Sequence, residues 1–396
     1  MRALLCENIH PEGARILRER GFEVETLTDA LGEDDLIAAL GGVDLLGIRS
    51  ATHVTGRVLA AAPQLKAVGA FCIGTNQIDL DAATASGVAV FNAPYSNTRS
   101  VVELAIGEII AMARHLTDHS AAMHAGVWNK SAKGSHEIRG RSLGIVGYGS
   151  IGSQLSVVAE SLGMRVYFHD LVDRLALGNA RRCGSLEELL ATVETVTLHV
   201  DGRPGNRGFF GEEQFAAMRP RSLFLNLSRG FVVDVDALER HLRSGHLAGA
   251  ALDVYPSEPK SNAEEFVSGL RGVPNVILTP HVGGSTEEAQ VDIGAFVAGK
   301  LADYALGGGT ILSVNLPEVQ PAGVGERRIV HLHLNVPGVL AKVNTLLAGA
   351  GANIEAQTLA TRGQVGYAVL DLDHPPTPDV LDALRALPET IRVETR

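Results

Sequence analysis

The sequence predicts an α/β chain with two doubly wound parallel sheets in tandem, followed by a small domain of βαββαβ order. Three observations carry this. Short apolar runs alternate with helical periodicities over residues 1–96 and again beyond residue 143. A glycine-rich strand–turn–helix opens the second set. After a Pro/Gly-rich stretch at 317–325, six short elements fill the rest of the chain, the order of a ferredoxin-like domain.

In the first sheet, strands are expected at 3–6, 23–27, 45–48, 65–69 and 88–91, with helices at 12–20, 34–40, 55–61 and 79–86. Ligands of such sheets gather beyond the carboxyl ends of the strands. There lie Arg49-Ser50-Ala51-Thr52, the stretch from Phe71 through Gly74 to Asn76, and Asn92-Ala93-Pro94. Arg49 reads equally as an anion contact or as a solvated strand-end arginine.

One long helix is expected over 96–116, capped by Ser96 or Ser100. Its apolar face (Val101, Val102, Leu104, Ala105, Ile109, Met112) suits burial between domains. The irregular stretch 126–140 carries the only tryptophan, Trp128, beside Lys130 and Lys133. An exposed loop seldom leaves a tryptophan free, so it makes a subunit contact or folds back on its own domain.

The second sheet opens with Leu143-Gly144-Ile145-Val146, then Gly147, Gly149, Ser150, Ile151 and Gly152 in G-x-G-x-x-G spacing. A helical pattern with Leu155, Val158, Ala159 and Leu162 follows. In this turn backbone approaches a pyrophosphate, which meets the free N–H groups of the helix start. The next strand, 165–169, ends in Asp170, placed to accept hydrogen bonds from the adenosine ribose. That carboxylate disfavours a 2′-phosphate, so NAD is expected over NADP; Arg174 points the other way. Later strands at 196–200, 223–227, 250–254 and 276–279 bring His199, Arg229, Asp253, Glu258, His281 and Gly283 to the same edge.

At 396 residues, with 45% hydrophobic residues and 44 glycines, the chain suits an enzyme of two or three domains. A net charge of −11, spread along the sequence, argues against nucleic-acid or anionic-membrane binding. Cys6, Cys72 and Cys183 form no zinc or disulfide pattern. With no signal peptide or membrane span visible, a cytoplasmic protein without a metal is expected.

These strand-end residues provide what oxidation of a 2-hydroxy acid needs. His281 suits the proton step, because imidazole titrates near ~6.5. Glu258 would fix its tautomer and raise its pKa. Arg229 offers a planar fork for the substrate carboxylate. Asp253 would accept from the nicotinamide carboxamide or cap a neighbouring turn. The bland alternatives are a turn histidine, a solvated carboxylate and a surface arginine.

Longer stretches carry a resemblance: Gly69 to Asn76, Phe91 to Ser100, Gly147 to Gly152, Asn226-Leu227-Ser228-Arg229-Gly230, Pro256-Ser257-Glu258-Pro259 and Thr279 to Ser285. In these the chain resembles the D-2-hydroxyacid dehydrogenase family, whose catalytic Arg, Glu and His fall on Arg229, Glu258 and His281. The resemblance implies a split substrate domain (1–96 with 284–320), an NAD-binding domain (97–283) and a homo-oligomer, a tetramer or dimer. It further implies 3-phosphoglycerate as substrate, oxidised to 3-phosphohydroxypyruvate at the start of serine biosynthesis. Arg49, Ser50, Gly74, Asn97 and Lys130 would bind it, Lys130 from a partner subunit if need be. Ala51 and Thr28 stand where cations would serve a phosphate, which keeps 2-hydroxyglutarate as a rival.

Residues 326–396 resemble the ACT domain, a small-molecule sensor that pairs with a second copy. Strands are expected at 329–334, 354–359, 367–372 and 390–394, with helices ending at 347 and spanning 378–387. His333, Asn335 and Asn353 match positions that bind L-serine in regulated relatives, so serine is the expected effector; an ACT domain serving assembly alone is the alternative. Two rival classes remain, a non-catalytic NADH-sensing scaffold and an amino-acid-binding protein with a relict catalytic part.

Overall fold

The computed structural model describes residues 1–259, 263–321 and 327–396. Two compact units emerge, Met1–Ser96 with Gln290–Arg396, and Asn97–Ala289.

The first unit begins β1 (Arg2–Leu5), α1 (Pro11–Glu19), β2 (Glu23–Thr26), α2 (Glu33–Ala39), β3 (Leu45–Ile48), α3 (Gly56–Ala61), β4 (Ala67–Ala70), α4 (Leu80–Ala85) and β5 (Ala89–Asn92). All five strands are parallel, in the order β2-β1-β3-β4-β5. That is the flavodoxin-like winding. Thr55 and Asp79 cap α3 and α4 by accepting the Val58 and Ala82 N–H groups.

The second unit holds α5 (Thr98–Ala113), α6 (Leu116–His124), β6 (Ser142–Val146), α7 (Ser150–Ser161), β7 (Arg165–His169), β8 (Arg181–Arg182), α8 (Leu186–Thr192), β9 (Thr195–Leu198), α9 (Glu212–Ala217), β10 (Ser222–Asn226), α10 (Val235–Arg243), β11 (Leu247–Leu252) and β12 (Val276–Leu278). Its parallel sheet runs β12-β11-β10-β9-β6-β7-β8, the Rossmann order. Strand order reverses between β6 and β9, so a crevice opens beyond Val146 and Leu198.

The helix expected over 96–116 is α5 over 98–113, and a second helix, α6, follows it at 116–124. Asn97, not Ser96 or Ser100, precedes α5, and it makes no side-chain cap. Ser100 lies within the helix, its hydroxyl 2.8 Å from that of Thr286. The helix stops at Ala113 because distant groups take its last carbonyls: Asn275 Nδ2 donates to Met112 O and the His136 N–H to Ala113 O. His115 then turns left-handed, at φ 50°, and α6 departs. The apolar face of α5 packs on its own unit's sheet, against Leu143, Ile145, Leu223, Leu225 and Ala251. Trp128 does not fold back; it is 77% exposed.

The chain closes with α11 (Glu287–Gly307), β13 (Arg328–Leu334), α12 (Val339–Gly349), β14 (Ile354–Arg362), β15 (Val365–Leu372), α13 (Pro378–Arg385) and β16 (Thr390–Thr395). The four strands form an antiparallel sheet, β14-β15-β13-β16. Ile329, Ala368 and Leu370 face the helices, among Val339, Val343, Leu347 and Leu384. Val330, Leu332, Tyr367 and Val369 share a core with Val297, Leu301 and Tyr304 of α11. Of the linker expected at 317–325, residues 322–325 lie outside the described residues.

Candidate active site

The site in the second unit grows from the β6 turn. Gly147 has φ 92°, and a Cβ there would meet His199 O at 2.4 Å. A Cβ on Gly152 would meet Gly147 O at 2.3 Å, whereas Gly149 faces open space. Only glycine permits the turn, the close helix and the open backbone together. Ser150 and Ile151 form the first turn of α7, whose free N–H groups suit a pyrophosphate. Asp170 closes β7; it accepts the Tyr148 N–H at 2.7 Å and the Val172 N–H at 2.9 Å, and Arg174 Nε lies 3.8 Å away. His199 flanks the turn from β9, Nε2 3.0 Å from Thr197 Oγ1. Burial pushes its pKa down to about 4, leaving a neutral ring, and its buried Nδ1 has no partner among the described residues. These residues fit a dinucleotide.

Three turns on the β10–β12 side carry the charged groups. Beyond β10, buried Asn226 donates to Arg229 O and accepts from the Ser228 N–H and hydroxyl, fixing the Arg229 turn. Gly230 lets that turn touch the next, since a Cβ there would overlap the Tyr255 backbone. Beyond β11, the Tyr255 N–H donates to Glu258 Oε1 at 3.1 Å. Beyond β12, His281 Nδ1 stands 2.9 Å from Glu258 Oε2.

This pair is electrostatically matched. The Glu258 hydrogen bond raises the His281 pKa above its ordinary value, against burial. Burial opposes ionisation of Glu258, but the bonds from His281 and the Tyr255 N–H, helped by the Arg229 charge, hold its pKa below the usual range. The carboxylate therefore favours an imidazolium at Nδ1 and leaves Nε2 for a ligand.

His281 sits at φ 55°, a left-handed conformation costly for a side-chain-bearing residue. Asp253, 2% exposed, holds it there. One carboxylate oxygen accepts from Thr279 Oγ1 (2.6 Å) and the Val282 N–H (2.8 Å), the other from the Gly283 N–H (2.7 Å). Of the two roles expected for Asp253, both oxygens serve the turn. Tyr255 adds its hydroxyl, 3.0 Å from Thr279 O. Behind Asp253 lies Glu108 of α5, 4% exposed, with both carboxyl oxygens unpartnered among the described residues. Burial and the Asp253 charge push its pKa up to about 8. Neither Tyr255 nor Glu108 was legible from motifs; Asn226 lay within one.

The remaining candidates divide by unit. Asn97 precedes α5, and a Cβ on Gly284 would strike its amide. Lys130 is exposed in the irregular stretch. Arg49, Ser50 and Gly74 follow strands β3 and β4 of the other unit, where buried Gln77 donates to Arg49 O at 2.6 Å and to Gly74 O at 3.3 Å. His333 is buried with its ring over Gly366, and its Nε2 lacks a partner among the described residues. Asn335 lies beside it and donates to Gly363 O. Asn353 does not join them: it pairs with Asp373, past the far end of β15. The eight residues of β15 separate Gln364 from Asp373, roughly 25–30 Å.

A family model described as the D-isomer specific 2-hydroxyacid dehydrogenase NAD-binding domain matches residues 106–283, and one for the AHAS small subunit-like ACT domain matches 329–392. The D-3-phosphoglycerate dehydrogenase of Haemophilus influenzae is 49% identical over 391 residues, covering 98% of this chain and 95% of the relative. That of Escherichia coli K12 is 48% identical over 392 residues, covering 98% and 96%. Among solved structures, the TT0316 protein from Thermus thermophilus superposes with a TM-score of 0.69 at 30% identity, over 76% of this chain and 96% of its own. The pyruvate reductase of Chlamydomonas reinhardtii gives 0.67 at 28%, over 77% and 96%.

Proposed function

The chain belongs to the D-isomer specific 2-hydroxyacid dehydrogenase family, and from that premise we propose that it oxidises D-3-phosphoglycerate to 3-phosphohydroxypyruvate with NAD. The observation that carries the chemistry is the 2.9 Å His281–Glu258 pair, with Arg229 near enough for its charge to act on both. Bound NAD supplies the acceptor for the C2 hydride; Gly147, Gly149, Ser150, Ile151, Gly152, Asp170, His199 and Gly283 would hold it.

The chain's residues do the rest. Neutral His281 takes the C2 hydroxyl proton at Nε2, and Glu258 stabilises the resulting imidazolium through Nδ1. Arg229 holds the substrate carboxylate in two parallel bonds. Arg49, Ser50, Gly74, Asn97 and Lys130 receive the far end of the substrate. Residues 1–96 with 284–320 act as the substrate domain, 97–283 as the NAD domain and 326–396 as the regulatory domain.

The protein acts as a homo-oligomer in the cytoplasm. Three features support assembly: Trp128 and Val127 are exposed, α6 buries none of its residues, and edge strand β14 is exposed along most of its length. The separation of Asn353 from His333 and Asn335 fits an L-serine site completed by a second copy, and serine inhibits by shifting domain closure. No disulfide joins Cys6, Cys72 and Cys183, which fits a reducing compartment.

The test is turnover with NAD of 3-phosphoglycerate against 2-hydroxyglutarate, with and without serine. The higher kcat/KM is expected for 3-phosphoglycerate. No turnover of it overturns the substrate, and activity unchanged by millimolar serine overturns the effector.

A further inference from the structure

The loop Arg49-Ser50-Ala51-Thr52 is held by a residue that no motif marks. Glu7 follows β1, and its carboxylate reaches across to the end of neighbouring β3. Glu7 Oε1 accepts the Arg49 N–H at 3.0 Å and the Thr52 N–H at 2.8 Å; Oε2 accepts the Ala51 N–H at 2.9 Å. Three of the loop's four amides thus converge on one carboxylate, a concave backbone nest filled from within the chain.

The backbone is bent for this purpose. Glu7 and Asn8 adopt φ 64° and 49°, two consecutive side-chain-bearing residues in the left-handed region. Their N–H groups are tied to Asp29 O and Leu27 O, which fixes the bend. From the other side, Gln77 holds Arg49 O and Gly74 O. Thr52 is fully buried, and its hydroxyl accepts the Leu31 N–H at 3.4 Å. The loop is clamped at both its amides and its carbonyl, yet Ser50 is exposed and Arg49 half-buried. A ligand is therefore offered the Arg49 guanidinium and the Ser50 group, while the remaining amides are already satisfied.

We propose that Glu7 is a positioning residue for substrate: by filling the nest, it fixes the loop that presents Arg49 and Ser50 to the anionic end of the 2-hydroxy acid. This rests on the reading of that loop as part of the substrate site. Filling the nest internally also removes it as a rival anion site, so recognition falls to the flexible arginine and one exposed serine.

The test uses the full-length protein and the variants Glu7→Gln, Glu7→Ala and Arg49→Ala, with kcat and KM for 3-phosphoglycerate, NADH affinity by fluorescence and thermal melting. Glutamine keeps one acceptor oxygen and loses the other, so Glu7→Gln raises KM several-fold, and Glu7→Ala about tenfold, equivalent to ~1.4 kcal/mol. kcat stays within about twofold and NADH affinity is unchanged, because the cofactor residues lie in the other unit. In Glu7→Gln/Arg49→Ala the two effects on KM are less than additive. Unchanged KM in both Glu7 variants overturns the proposal. So does a KM rise that disappears when the variants are assayed well below their melting temperatures. If the wild type turns over 2-hydroxyglutarate instead, the substrate reading fails, and the same KM comparison decides the Glu7 proposal on that acid.

Discussion

Replacing Asp253 by asparagine removes one negative charge and one acceptor from the turn that carries His281. In the best orientation the amide oxygen keeps Thr279 Oγ1 and the Val282 N–H, and the new NH2 faces the Gly283 N–H, previously 2.7 Å from a carboxylate oxygen. A hydrogen bond to a charged group contributes about 1.5–3 kcal/mol, and here a donor–donor contact replaces it. The turn also carries His281 at φ 55°, which costs about 1 kcal/mol that the lost bond no longer opposes. The sum, about 2.5–4 kcal/mol, is enough to unseat the imidazole for much of the time, and misplacement by ~1 Å costs on the order of 100-fold in rate. We expect Asp253→Asn to lower kcat about 100-fold and the melting temperature by roughly 5–10 °C. NADH affinity, measured by fluorescence, should fall far less than kcat. A large loss of NADH affinity with kcat within threefold of wild type would refute the reasoning and return Asp253 to the carboxamide.

The other predictions concern neighbouring groups. Glu258→Gln removes the charge that raises the His281 pKa, so the imidazolium gives up its proton at lower pH. In the reductive direction, which needs the protonated ring, the alkaline limb of the pH–rate profile moves to lower pH; an unmoved limb contradicts the pairing. Gly147→Ala places a Cβ 2.4 Å from His199 O at φ 92°, and is expected to destabilise the chain by about 2–4 kcal/mol and abolish NADH binding. Denaturant titration and NADH fluorescence check both. Glu108 has its folded-state pKa raised to about 8, from an ordinary 4.5. The folded protein therefore binds the extra proton, and stability falls as pH rises from about 4.5 to 8. Glu108→Gln should match wild type near pH 4.5 but be more stable by on the order of 3 kcal/mol at pH 7, as read by melts across that range.

Much of the architecture was legible because βα alternation has few solutions. Strands expected at 45–48 and 165–169 are β3 and β7 to the residue. The positions of Arg229, Glu258 and His281 followed from the same logic, since a parallel sheet delivers every strand's carboxyl end to one edge. The break after Ala113 was not legible: the periodicity of α5 runs on, and the bonds that end it come from His136 and Asn275, the latter more than 160 positions away. Asp253 was ambiguous because a strand-end carboxylate serves a ligand or a turn equally well until the turn's N–H groups are placed. Glu7 was invisible for a related reason, its three partners lying more than 40 positions along the chain. His333, Asn335 and Asn353 read as one set in sequence, while the length of β15 keeps Asn353 apart.

Whether His281 moves the substrate proton in a chain that binds NAD is decided by His281→Ala in a stopped-flow assay of NADH formation. A loss of turnover of at least 100-fold, the range of general acid–base catalysis, is expected, with NADH affinity retained. Turnover within a few-fold of wild type would contradict that role.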